Sequence, residues 1–132
     1  MKLITRDTDY ALRAICFIAQ QKNKVVSVTE LVRELKIPRP FLRKILQALN
    51  KKRILKSHKG QGGGFILGVK PANIFLVDLI RIFQGQLSLN ECFLRKMRCP
   101  NMDKCALRKK IKRIERYVAR ELEPINIASL IK

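Results

Sequence analysis

The chain has 132 residues, a length typical of one compact domain or of a small domain with an arm. Its 29 Lys and Arg residues against 10 Asp and Glu residues give a formal net charge of +19, which indicates a polyanionic partner, either a nucleic acid or an acidic membrane. With one His and no Trp, the chain offers few groups for acid–base catalysis at neutral pH, so we expect no enzyme activity.

The first predicted helix runs to about Gln20, with Thr8 or Asp7 as its cap. An apolar stripe follows the helical spacing i, i+3, i+4, i+7 and comprises Leu12, Ile15, Cys16 and Ala19. Cys16 therefore lies on the core face, and we interpret it as a small buried hydrophobic residue.

Two short helices are predicted over about residues 28–51. Ser27-Val28-Thr29-Glu30 is a capping box that opens the first, and Pro38 ends it. Pro40 suits the first position of the second helix. The buried face of the second helix is predicted to comprise Phe41, Leu42, Ile45, Leu46 and Leu49. Its other face carries the DNA-binding candidates Arg39, Arg43, Lys44, Gln47 and Lys51. Two short helices, a tight turn and a basic exposed face are typical of a helix-turn-helix.

A β-hairpin is predicted next, over about residues 54–68, in the position of the wing of a winged helix. Its Gly-rich turn permits positive φ and a close approach of the backbone to phosphate. The tip adds four DNA-binding candidates, Ser57, His58, Lys59 and Gly60. A nucleotide-binding loop is excluded, because Phe65 stands where a third Gly would be needed and no strand–loop–helix unit surrounds the turn.

The charge of this region is one-sided. From Leu35 to Val77 the chain has no acidic residue and ten Lys or Arg. An Asp or Glu there would repel a phosphate backbone, so the stretch favours DNA as the partner and residues 1–70 as a winged helix-turn-helix DNA-binding domain. A solvated basic face is one alternative. An RNA- or ribosome-associated protein is another, although six Phe and two Tyr offer few stacking platforms for RNA bases.

The remaining segment, residues 71–132, begins with a helical stretch from Ile74 to Phe83. A polar loop that carries cysteines follows at about residues 86–105. The apolar tail after Pro124 is predicted to fold back onto a core.

A long helix is predicted over about residues 104–123, with Asp103 as its cap. Spacings of 4, 3 and 4 residues give it a heptad-like apolar seam, formed by Leu107, Ile111, Ile114 and Val118. Such a narrow seam, surrounded by Lys and Arg, favours a dimer interface. Packing within the chain is the alternative.

No apolar run reaches the roughly 18 residues of a membrane span, and Arg6, Asp7 and Asp9 interrupt any signal peptide. We therefore expect a cytoplasmic protein without a membrane partner, in a compartment that keeps thiols reduced. Cysteines in such a protein are metal ligands or buried residues more often than disulfides.

Three cysteines lie within 14 residues, in the pattern Cys92-x6-Cys99-x5-Cys105. Thiolates select zinc or iron–sulfur clusters. A zinc site normally has four ligands at tighter spacing, and the only His, His58, belongs to the predicted wing. Flanking Lys and Arg residues and a nearby helix N-terminus favour thiolates and an anionic cluster. From the residues alone, structural zinc and unligated cysteines stay open as alternatives.

Three motifs carry a resemblance to a known family. They are Thr8-Asp9-Tyr10-Ala11-Leu12-Arg13, then Ile37-Pro38-x-x-Phe41-Leu42-x-Lys44-Ile45-Leu46-x-x-Leu49, and Ser57-x-Lys59-Gly60-x-Gly62-Gly63-Gly64-Phe65-x-Leu67. With the cysteines and the basic helix that follow, the chain resembles the IscR/NsrR-type iron–sulfur winged-helix transcription regulators, the Rrf-two family, over nearly its whole length. The first cysteine gap is six residues, where five is common in the family.

This resemblance implies a mainly α fold, a winged helix-turn-helix with a small hairpin and a long dimerisation helix. It also implies a homodimer that represses transcription from a pseudo-palindromic DNA operator, with no small-molecule substrate. Cys92, Cys99 and Cys105 would bind a 2Fe–2S or 4Fe–4S cluster that senses redox state, nitric oxide or iron–sulfur supply.

Asp9 matches an acidic fourth ligand that some nitric-oxide-sensing members take from the partner chain. The alternative is that Asp9 only stabilises the N-terminus of the first helix. Arg43 occupies the specificity position of the recognition helix, where Arg favours guanine O6 and N7. Lys59 stands where the wing often has Arg, so it suits a phosphate and not a bidentate base contact.

Overall fold

The computed structural model describes residues 2–89 and 104–132. In chain order, its elements are α1 (Arg6–Gln20), α2 (Val28–Leu35), α3 (Arg39–Lys51), β1 (Leu55–His58), β2 (Gly64–Leu67), a 3-10 turn (Pro71–Asn73), α4 (Leu76–Gln84), α5 (Ala106–Leu122) and α6 (Ile127–Leu130). The two strands pair antiparallel as a hairpin. The mainly α fold with one small hairpin and a long C-terminal helix is thus confirmed.

The N-terminus of α1 differs from its prediction. Thr5, and not Thr8 or Asp7, caps the helix, and its Oγ1 accepts a hydrogen bond from the backbone N–H of Thr8. Thr8 lies in the first turn and is completely buried, and its hydroxyl is satisfied by donating to Oε1 of Gln84 in α4 at 2.7 Å. Cys16 packs half-buried against the core, and this burial raises the pKa of its thiol.

One apolar core joins most of the elements. Ala11, Ala14 and Ile15 of α1 meet buried leucines of α2 and α3. The chain after residue 70 contributes to the same core, through Ile74, Leu79 and Ile127. The backbone N–H of Ile127 donates to the carbonyl oxygen of Ile74 at 2.9 Å, so the C-terminal tail folds back onto the body as predicted.

The helix-turn-helix follows its capping signals. Ser27 Oγ accepts from the backbone N–H of Glu30 at 3.0 Å and caps α2. Lys36 adopts the left-handed conformation, with φ of 55°, and ends α2. Pro40 lies at the second position of α3, one residue later than predicted, because Arg39 begins that helix.

Phe41 corrects the predicted buried face of α3. Leu42, Ile45, Leu46 and Leu49 are buried, but Phe41 is 40% exposed at the edge of their stripe. Its ring lies under the guanidinium of Arg6, whose Cζ is 4.4 Å from the ring centroid. A cation–π contact of this kind covers a ring that the core leaves open.

The wing docks on the body through one glycine. Val26, just before α2, exchanges two backbone hydrogen bonds with Phe65 of β2, at 2.8 and 2.9 Å. A Cβ atom on Gly64 would collide with the carbonyl of Val26, and Gly64 has a φ of +159°. The residue beside this bridge therefore has to be glycine for the wing to lie close to α2.

Helix α4 begins two residues later than predicted, because Phe75 pairs with Asn126 in an extended bridge before the helix starts. The predicted cap of α5, Asp103, lies outside the described residues, and Cys105 occupies the N-cap position. None of the residues of α5 is buried. In the described part of the chain, no helix combines the length and the apolar character that crossing a membrane requires.

Candidate DNA-binding surface and cysteine site

The residues that α3 exposes are determined by the packing of its opposite face. The four buried residues of α3 fix its rotation, and the predicted DNA contacts then lie in solvent: Arg39, Arg43, Lys44, Gln47 and Lys51 are all exposed. Arg39 Nη2 also donates to Thr29 Oγ1 of α2 at 3.3 Å, which ties the start of α3 to the preceding helix. The exposed row is available for phosphates and base edges.

The wing tip lies in solvent as well. Ser57, His58, Lys59 and Gly60 are exposed, while Leu55 at the start of β1 is buried. All ten Lys and Arg residues between positions 35 and 77 are exposed. Eight of them lie on α3, in the link that follows it and in the hairpin, where they present positive charge to solvent, whereas Lys36 ends α2 and Lys70 follows β2.

Three basic residues of this surface were missing from the predicted contacts. Lys52 and Arg53 join α3 to the hairpin, and Lys56 lies on β1. All three are exposed beside the predicted contacts. Their place inside the acid-free stretch was a signal that would have included them.

Of the predicted cluster ligands on the long loop, Cys105 is described, whereas Cys92 and Cys99 lie outside the described residues. Cys105 is a free, half-buried thiol at the N-cap of α5, and its Sγ accepts a hydrogen bond from the backbone N–H of Arg108 at 3.5 Å. The described parts, 2–89 and 104–132, hold no group of three or more metal-ligating side chains.

Asp9 lies in the first turn of α1, where its Oδ2 is 3.0 Å from Nη2 of Arg13. The pair is largely solvent-exposed, so it contributes little to stability. This position suits both readings of Asp9, a helix-stabilising acid and an accessible carboxylate ligand, and both stay predictions.

The predicted dimer seam lies uncovered on α5. Leu107 is 64% exposed and Ile114 is 53% exposed, while Ile111 and Val118 are partly covered. Next to the seam, Glu115 Oε1 accepts a hydrogen bond from the backbone N–H of Leu89 at 3.1 Å. The seam is an exposed apolar stripe, as an interface between chains requires.

The comparisons with known proteins agree with this architecture. A family model described as Rrf2, an iron-dependent transcriptional regulator, matches residues 4–132. The chain belongs to the Rrf2 family. The recognition made from the three motifs is thereby confirmed.

Individual relatives are also regulators. A putative HTH-type transcriptional regulator of Aquifex aeolicus is 37% identical over 68% of this chain and 62% of its own length. The HTH-type transcriptional regulator NsrR of Bacillus licheniformis is 33% identical over 70% of this chain and 65% of its own length. The matches thus span slightly less than two thirds of these relatives.

A solved structure extends the likeness to the fold. CymR, described as the global cysteine regulator of B. subtilis, superposes with a TM-score of 0.82 at 22% identity, covering 99% of this chain and 97% of CymR. These two relatives and CymR are described as regulators and none of the three as an enzyme, which agrees with the expectation from the sequence. This chain therefore belongs to a family of transcription regulators and shares the winged-helix fold of CymR.

Proposed function

We propose that the protein is a homodimeric repressor whose binding to a pseudo-palindromic DNA operator is controlled by an iron–sulfur cluster. The observation that carries the DNA-binding part is the row of exposed basic residues on α3 and the wing, in a stretch without acidic residues. The Rrf2 match supports the regulatory role.

In this proposal α3 enters the major groove and the wing lies on the flanking backbone or in the minor groove. Arg43 reads a guanine edge, and Lys59 at the wing tip binds a phosphate. If each dimer neutralises about six phosphates, log K falls with log salt at a slope of about −5. Two α3 helices in one dimer would recognise two half-sites on one face of the DNA.

The dimer forms through the seam of α5. Leu107 and Ile114 expose more than half of their surface. In a symmetric dimer the helix of each chain would cover these two residues of the other chain, so four exposed side chains become buried. The Lys and Arg side chains on the other faces of α5 then stay in solvent.

Cys92, Cys99 and Cys105 are the proposed cluster ligands, with Asp9 of the partner subunit as the fourth. The chemistry of the described ligands fits an iron–sulfur cluster, because Cys105 is a free thiol whose sulfur accepts a backbone N–H, and the carboxylate of Asp9 is accessible. When bound, such a cluster supplies a redox-active group whose ligation and charge change with oxidants. The chain's own part is to present the Cys105 thiol at the start of α5, next to the dimer seam.

Anaerobic purification tests the cluster directly. We expect broad absorbance at about 400 nm together with iron by elemental analysis. Cys99→Ala should lose both while the circular dichroism of the winged helix stays unchanged, and Cys16→Ala, the matched control, should keep both. Colour retained in Cys99→Ala would remove this residue from the ligand set, and colourless, iron-free wild-type protein would overturn the cluster.

A regulator with zinc or without metal is the second candidate. CymR, whose fold this chain shares, is described as the global cysteine regulator of B. subtilis, a description that names no iron–sulfur cluster. Zinc in place of iron in the elemental analysis would favour this candidate. Competition between duplex DNA and RNA for the protein separates both candidates from an RNA-associated role.

A further inference from the structure

Gln84 joins the C-terminus of α4 to the N-terminus of the chain. Its Oε1 accepts two hydrogen bonds, from the backbone N–H of Thr5 at 3.0 Å and from Thr8 Oγ1 at 2.7 Å. Its Nε2 donates to the carbonyl oxygen of Leu3 at 3.0 Å. One amide thus binds three residues that lie about 80 positions earlier in the chain, and we call these four residues the Gln84 clamp.

The clamp depends on the amide and on its orientation. Thr8 is the one buried polar residue in the described parts of the chain, and its hydroxyl points to Gln84. Thr5 Oγ1 lies 3.2 Å from Thr8 Oγ1 and completes a directed chain of hydrogen bonds toward Gln84 Oε1. In a flipped amide the NH2 group would face the backbone N–H of Thr5 and the oxygen would face the carbonyl oxygen of Leu3, so these two backbone groups fix the orientation.

The clamp lies between two regions that matter for regulation. On one side, Gly85 ends α4 and the chain continues within a few residues to the segment that carries Cys92 and Cys99. On the other side, Thr8 directly precedes Asp9. Arg6, next to Thr5, lies over the ring of Phe41 on the recognition helix α3.

We propose that Gln84 is a positioning residue that couples the cysteine-bearing segment to the recognition helix. A displacement of the end of α4 either moves residues 3–8 with it or breaks three hydrogen bonds at once. Through Arg6 and Phe41, movement of residues 3–8 changes the position of α3. The inference rests on the proposed function, since it identifies how the cluster state reaches the DNA-binding surface.

The test uses the full-length dimer, with and without its cluster, and measures the operator Kd in both states. For wild-type protein we expect the two Kd values to differ by about 5- to 150-fold, the usual range of allosteric coupling. Gln84→Met removes the three bonds at similar volume and should reduce this ratio to about twofold or less. Gln84→Glu keeps the two accepted bonds, sets a carboxylate oxygen against the Leu3 carbonyl, and should give an intermediate ratio.

Three controls separate coupling from simple loss of structure. Gln86→Met, two residues along the chain at an exposed position, should keep the wild-type ratio. Absorbance at about 400 nm should be retained in every variant, since none of them changes a ligand. Hydrogen exchange in cluster-free protein should quicken about tenfold or more at the Thr5 amide in Gln84→Met, because that N–H loses its acceptor.

The outcomes distinguish the two proposals. A wild-type ratio in Gln84→Met, with quickened exchange at Thr5, would overturn the coupling and leave the sensor function standing. Equal operator affinities of wild-type protein in its two cluster states would overturn both. If Gln84→Met does not fold, Thr8→Val removes one hydrogen bond at nearly constant shape, and an unchanged ratio in that variant overturns the coupling.

Discussion

Helices α3 and α5 have similar patterns of apolar and basic residues but opposite surroundings. Each carries an apolar stripe beside a run of Lys and Arg. In α3 the stripe is buried under α1 and α2, whereas in α5 no residue is buried and Ile114 exposes half of its surface. The spacing of apolar residues therefore predicts that a stripe will be covered, but not whether the cover comes from the same chain.

The difference has a simple physical origin. The elements that cover α3 lie within about 40 residues of it, and they fold into one core with α4 and α6. Helix α5 is highly charged on its other faces, and burying it in that core would have required desolvating several cations. A second copy can cover the seam alone and leave the charges in water.

The largest effect is expected from a substitution in the apolar core that covers α3. Leu49→Ala removes a completely buried side chain of α3 and should lower the free energy of unfolding by about 2–5 kcal/mol. Chemical denaturation followed by circular dichroism measures this change. Leu130→Ala, at a 45% exposed position of α6, is the control and should stay within about 0.5 kcal/mol of wild type. A loss below about 1 kcal/mol in Leu49→Ala would contradict the assigned core.

The second prediction concerns the seam of α5. Ile114→Ala should raise the dimer dissociation constant more than about tenfold, because a symmetric interface loses the apolar contact twice. Analytical ultracentrifugation over a range of protein concentrations measures it. Lys109→Ala, on another face of the same helix, should leave the constant unchanged. An unaltered dimer in Ile114→Ala would instead indicate that the seam packs within the chain.

The third prediction sharpens the role of the α3 surface. Arg43→Ala should weaken binding to the specific operator by about 1–3 kcal/mol and affect random DNA less, because a base contact is lost. Electrophoretic mobility shifts with both DNAs measure the two affinities at one salt concentration. Lys24→Ala, exposed before α2, serves as control. An equal loss on both DNAs would show that Arg43 binds phosphate only.

Much of this fold could be predicted from the sequence, because local signals dominate it. The capping serine at Ser27, the prolines around α3 and the glycines of the hairpin each restrict the backbone within a few residues. The same reasoning placed the basic residues of α3 and the wing in solvent.

What the sequence did not reveal depends on contacts between distant residues. Thr8 was predicted as a cap and is instead buried by Gln84, 76 positions later. Phe41 was assigned to the core, but Arg6 from another helix covers it. No local pattern encodes either pair, since each requires the tertiary packing of two helices.

The smallest expected effect distinguishes a cysteine of the body from one of the α5 region. Burial raises the pKa of the Cys16 thiol, so less of it is thiolate at pH 8, and thiolate is the form that alkylating reagents attack. Cys105 lies at the start of α5, and its sulfur accepts a backbone N–H. In reduced, metal-free protein we expect iodoacetamide to label Cys16 about fivefold or more slowly than Cys105, measured by peptide mass spectrometry. The difference between the two labelling rates should narrow at higher pH, because more of the Cys16 thiol then ionises. It should vanish in denaturant, where the core no longer buries Cys16. Equal labelling rates in the folded protein would mean that packing against the core does not protect Cys16. The covered α1 region and the uncovered α5 region would then not differ in the reactivity of their thiols.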